Sequence, residues 1–129
     1  MRPNTLLLVS IIMLAFAIVL GAFGAHAWQN TLLQFGTSQI FTTASQYHFY
    51  IALSLLSLAV YAHQPESVSL TLVSWLLICG LIIFSGSLYI LALTNIRWLG
   101  AITPIGGTLL FMGFVMLAFQ LFKNKKLFP

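Results

Sequence analysis

Long apolar stretches alternate with short polar ones along this chain of 129 residues. Four of them, at 5–25, 44–62, 70–93 and 104–122, run about 19 to 24 residues each. A helix rising 1.5 Å per residue crosses about 30 Å of hydrocarbon in roughly 20 residues. The pattern therefore predicts an all-α polytopic membrane protein, a four-transmembrane-helix bundle forming one membrane domain over 1–129. Gln64-Pro65 breaks the chain before the third run, and Asn95 breaks it after. Thr103-Pro104 predicts the start of the fourth helix, with threonine as N-cap and proline at the first helical position.

Four spans place both termini on one face, together with Arg2, the loop His63-Gln64-Pro65-Glu66, and Lys123, Lys125 and Lys126. The opposite face carries Arg97 alone. Lys and Arg gather on the cytoplasmic side of membrane proteins, so the expectation is cytoplasmic termini in a plasma (bacterial inner) membrane. Ala25-His26-Ala27 imitates a signal-peptidase site. The apolar stretch before it exceeds the roughly 7 to 15 residues of a signal core, so it is read as a retained first helix.

Composition agrees. Hydrophobic residues make up 60% of the chain and charged residues 5%, too few to coat a soluble fold. The net charge of +4 comes largely from the tail lysines. Beside a membrane helix these act as an orientation signal with weak attraction to anionic lipid, not as a nucleic-acid surface. The single Cys79 excludes an internal disulfide.

This topology gathers polar side chains toward one leaflet. His26, Gln46, His48, Ser85, Ser87 and Tyr89 form a candidate outer polar cluster at the outer ends of their helices. Interhelical hydrogen bonding is the plainer role for it, and an outward-facing ligand site the sharper one. Small residues mark helix contacts: Gly21 and Gly24 in the first run, Gly80 in the third, Gly106 and Gly113 in the fourth. Helices in lipid associate through close backbone approach, because no hydrophobic drive separates helix from tail. Arg97, Trp98, Thr103, Gly106 and Gly107 together suggest a lipid-headgroup contact. A helix amino end exposes unpaired N–H groups, Arg97 adds a full charge, and Trp98 suits the interfacial aromatic belt.

Three motifs carry a resemblance. Gly21-Ala22-Phe23-Gly24-Ala25-His26, Phe84-Ser85-Gly86-Ser87-Leu88-Tyr89 and Thr103-Pro104-Ile105-Gly106-Gly107 stand in the order and spacing of the domain-of-unknown-function 423 family. The chain resembles these small multipass membrane proteins over nearly its whole length. The family usually shows Tyr-Gln-x-x-His entering the second span. Here Tyr47-His48-Phe49-Tyr50-Ile51 places histidine at the glutamine position and isoleucine at the histidine position. The resemblance implies the four-span fold and no particular activity.

Catalysis is poorly provided for. Glu66 is the sole acidic residue and lies in the inner loop, so no carboxylate pair or Ser-His-Asp set can form within one chain. Two histidines near one another make an incomplete metal site, and no cofactor is expected. The sequence points to a non-enzymatic structural or accessory component that contacts membrane lipid, a second copy of itself or a larger membrane complex. A small oligomeric transporter or channel is the alternative. Against it stands the apolar inner half of the spans, which offers no polar pathway.

Overall fold

The structure, a computed structural model, describes residues 1–65 and 67–124. Glu66, Lys125 and Lys126, which carry part of the charge argument, lie outside the described residues. Five α-helices follow in order: α1 Pro3–Ala25, α2 Gln29–Phe35, α3 Ser38–Tyr61, α4 Thr71–Thr94 and α5 Thr103–Lys123. A 3-10 turn, Arg97–Ala101, joins α4 to α5. No strand occurs among the described residues.

The helix ends have local causes. Pro3 and Pro104 lie in the first turns of α1 and α5, where a missing N–H costs nothing. Gly36 closes α2 and Asn95 closes α4, both with left-handed backbone (φ 65° and 57°). Glycine adopts that conformation freely, and asparagine more readily than most residues.

The second expected span, 44–62, is longer than predicted and begins at Ser38. Its added turns carry Ser38, Gln39, Thr42 and Thr43 outward, while Phe41 and Ala44 are buried. The α2 helix was not anticipated, since only Leu32 of its seven residues is buried. The fourth helix also corrects an expectation. Ile102, not Thr103, is its N-cap, and Thr103 is already helical.

Packing follows chain order. The α1 helix lies against α3, α3 against α4, and α4 against α5, and no comparable seam joins α1 to α4 or α5 among the described residues. Accordingly α4 buries residues on two sides, from Val73 and Leu77 to Tyr89 and Ala92. By contrast α5 buries only Gly106, Leu110 and Gly113. One core joins Leu6, Leu55, Leu77, Leu81 and Leu110 across four helices, and a second gathers Leu32, Phe41, Ala44, Tyr89 and Ala92.

Much apolar surface remains outside these cores. Leu8, Ile11, Phe16 and Ile18 on α1, and Phe111, Val115, Phe119 and Phe122 on α5, are exposed. So extensive an apolar surface calls for a cover. Pro3–Ala25, Thr71–Thr94 and Arg97–Lys123 are long and apolar enough to cross a bilayer. At 24 residues α3 matches α4 in length, but its first half is more polar.

Candidate functional site

The centre of the molecule is a contact between α3 and α4. His48 Nδ1 and the Tyr89 hydroxyl lie 3.3 Å apart, both residues buried. One turn toward the amino end of α3, Ser85 Oγ donates to the Ala44 carbonyl at 3.0 Å. A third bond ties the same helices near the carboxyl end of α4, where Thr37 Oγ1 donates to the Ala92 carbonyl at 2.7 Å. Rings extend the contact outward. Tyr89 meets Phe41 edge-on at 5.1 Å, Phe41 meets Trp28 at 6.0 Å, and Trp28 meets Phe23 at 5.2 Å. Gly24 admits this line, because a Cβ there would collide with the Phe41 ring.

The six residues of the expected polar cluster do not form one site. His48, Ser85 and Tyr89 line a cavity of about 260 Å³ with Met13, Phe16 and Gly86. Gln46 projects from another side of α3, because two positions along a helix turn about 200°. It lines a separate cavity of about 450 Å³ with Gly21, Gln29, Ser38, Thr42 and Ser45. His26 is exposed near Ala22, Phe23 and Ala27. Ser87 belongs to the α4–α5 seam, 2.8 Å from Thr103 Oγ1. Depth placed these residues together, and helical rotation separates them.

The expected headgroup contact divides in the same way. Arg97 and Trp98 are exposed on the 3-10 turn. Thr103 is held by Ser87 and by the Leu99 carbonyl. Gly106 is buried against the backbone of Phe84, and a Cβ on Gly107 would lie 3.6 Å from the Phe84 ring. These glycines therefore serve packing, while Arg97 and Trp98 alone face outward. Gly80 and Gly113 complete the seam, where an added Cβ would come within 2.8 Å of Leu110 and of Leu77 respectively. Gly21 is less confined, since a Cβ there would meet only Ser45 Oγ, at 3.6 Å.

Two contacts at the end of the molecule that carries Arg2 lay outside the sequence reading. His63 bridges the Ala59 carbonyl at 2.7 Å and Asn4 Oδ1 at 2.9 Å. The Met1 ammonium donates to Thr71 Oγ1 at 2.8 Å, tying α1 to α4. No group of three or more His, Cys, Asp or Glu side chains converges among the described residues.

Apolar helices with outward-facing hydrophobic surface, joined by buried hydroxyl-to-carbonyl bonds, define a helical membrane protein. The chain belongs to the family described as protein of unknown function (DUF423), whose model matches residues 20–107. It is 46% identical over 107 residues to a UPF0382 membrane protein of Staphylococcus saprophyticus, covering 83% of this chain and 88% of the relative. The UPF0382 membrane protein YwdK of Bacillus subtilis is 42% identical over 102 residues, 78% of this chain and 82% of that one. A UPF0382 membrane protein of Haemophilus influenzae is 38% identical over 113 residues, 87% and 89% of the two chains. No solved structure matches the chain.

Proposed function

We propose that all four long helices cross the plasma (bacterial inner) membrane as a single domain, with both termini cytoplasmic. In this reading the protein is a non-enzymatic structural or accessory component that contacts lipid or a membrane partner. The observation that carries the proposal is how α3 handles its polar side chains. Thr42, Thr43, Ser54 and Ser57 each donate to the carbonyl four residues before them. His48 meets Tyr89, and Ser85 reaches the Ala44 carbonyl. Backbone-directed hydroxyls and interhelical pairs let a helix of modest apolarity lie in hydrocarbon. The charges suit this topology, with Arg2 and Lys123 at the inner ends and Arg97 at the outer.

The exposed apolar faces of α1 and α5 offer surface to lipid or to another membrane helix. Purified protein reconstituted in sealed vesicles tests the accessory reading, with potassium, proton and glycerol flux as readouts. The expected result is flux no greater than in empty vesicles. Protein-dependent flux abolished by a substitution in a helix interior would replace this reading with a small oligomeric transporter or channel.

A further inference from the structure

A cavity of about 450 Å³ lies at one end of the bundle, between the last turns of α1 and the first turns of α3, with α2 along its side. Its volume falls within the range of about 300 to 1,000 Å³ for whole-ligand pockets. The lining is of two kinds. Gly21, Gly24 and Leu33 are apolar, whereas Gln29, Ser38, Thr42, Ser45 and Gln46 are polar, and no lining residue carries a charge.

The polar groups are open to a ligand. Thr42 and Ser45 have neighbours within the chain, the Ser38 carbonyl and Tyr89 respectively. Gln29, Ser38 and Gln46 are exposed, and their side chains find no hydrogen-bond partner among the described residues. Their partners therefore come from outside the chain. Ser45 Oγ is aimed at α1, being the one atom that a Cβ on Gly21 would meet.

Gly21 is the second observation. It lies inside α1, where glycine forms helix less readily than alanine. Gly24 is required by the Phe41 ring, but a Cβ on Gly21 would make only an ordinary contact at 3.6 Å. Packing does not require this glycine. Its missing side chain keeps the cavity open beside Ser45.

We propose that this cavity binds the ring of a neutral sugar, with Gln29 and Gln46 bonding its hydroxyls and the ring lying against Gly21. The donor and acceptor inventory selects this chemistry. Carboxamides and hydroxyls each donate and accept. Phosphate and ester oxygens only accept and an ammonium only donates, whereas every sugar hydroxyl does both. A charged headgroup would also lack a counter-charge among the lining residues. Water would satisfy the carboxamides but leave the apolar lining wet, while the C–H face of a sugar ring covers it. The ring is supplied by a glycolipid headgroup or by a free sugar. The inference rests on α1 and α3 crossing the bilayer as proposed above, which sets the cavity at headgroup level.

The test uses the full chain, labelled with nitrogen-15, in phosphatidylcholine nanodiscs. The probe is glucosyl diacylglycerol with carbon-13 in the sugar ring, and the control is the same lipid with every hydroxyl methylated. Solid-state NMR reads contacts between the ring carbons and the side-chain nitrogens of Gln29 and Gln46 as the probe fraction rises. The expected result is saturation at one probe per chain, with both contacts present. Gln46→Leu and Gly21→Leu should each weaken binding roughly tenfold, as loss of a hydrogen bond or of space requires. Gln46→Leu, at an exposed position, should keep the sugar-free melting temperature. Displacement of the probe by methyl glucoside would assign the site to a soluble sugar, and its failure to compete would assign it to a headgroup. Equal binding of the methylated lipid, non-saturable contacts, or parental affinity in Gln46→Leu would overturn the proposal. Those outcomes, in a chain whose residue 64 still labels only after permeabilisation, would leave the four-span reading standing.

Discussion

Gly106 of α5 lies directly against the backbone of Phe84 in α4. A Cβ on Gly106 would fall 2.8 Å from Phe84 Cα and 2.9 Å from the Gly80 carbonyl. These are backbone atoms of a helix and cannot turn aside as a side chain can. Because α5 buries only Gly106, Leu110 and Gly113, its attachment depends on this approach.

Gly106→Ala should therefore destabilise the protein by about 1–3 kcal/mol, the usual cost of overpacking. Gly107→Ala, facing only the Phe84 ring at 3.6 Å, should change stability little. Thermal unfolding of both variants in mild detergent checks the contrast, and equal melting temperatures would contradict the seam.

A second contrast separates two glycines of α1. The Phe41 ring occupies the space beside Gly24, whereas a Cβ on Gly21 would meet only Ser45 Oγ, at van der Waals distance beside the larger cavity. Gly24→Ala should cost about 1–3 kcal/mol, and Gly21→Ala should stay within about 0.5 kcal/mol of the parent. The same melting assay reads both. Sequence spacing treats the two as equal members of one small-residue stripe, and the position of Phe41 distinguishes them.

His48→Leu removes the imidazole that meets the Tyr89 hydroxyl and leaves Ser45 as its neighbour. The expected loss is about 0.6–1.7 kcal/mol, the range for interhelical polar contacts in membranes. His48→Gln retains an amide able to reach the hydroxyl and should lose less. If both variants lost the same stability, a role particular to the imidazole ring would replace simple hydrogen bonding.

Thr37 supplies a fourth expectation. Its hydroxyl reaches the Ala92 carbonyl from a buried position, whereas Thr42 bonds within its own helix on an exposed face. Thr37→Val should cost about 1 kcal/mol and loosen the amino end of α3. Thr42→Val should be close to neutral. Hydrogen exchange at the backbone amides of Phe41 and Ala44 reports the difference.

Four long apolar runs were legible because lipid-facing and core-facing positions are both hydrophobic, so the runs stand out without any periodicity. The start of α3 was not, since Ser38, Gln39, Thr42 and Thr43 read as loop unless Phe41 and Ala44 are known to be buried. The polar cluster shows the same limit. Sequence places Gln46 and His48 at one depth, but the rotation between them sends each to a different cavity. Thr37 stands beside Gly36, and nothing local to it points to Ala92. Asn4 and His63 stand 59 positions apart, and only the pairing of α1 with α3 brings them together.

The four crossings are most directly tested at Gln64, in the connection between α3 and α4. If α3 crosses the membrane, Gln64 shares a side with Asn4 and Asn124, and Trp98 faces the other way. If α3 does not cross, Gln64 appears on the outer face and the two termini fall on opposite sides. Single cysteines at these four positions, in a Cys79→Ser background, leave every lysine and arginine in place. Labelling of intact cells with a membrane-impermeant maleimide should modify residue 98 alone, with residues 4, 64 and 124 reacting only after permeabilisation. Labelling of residue 64 in intact cells would contradict the four-span account.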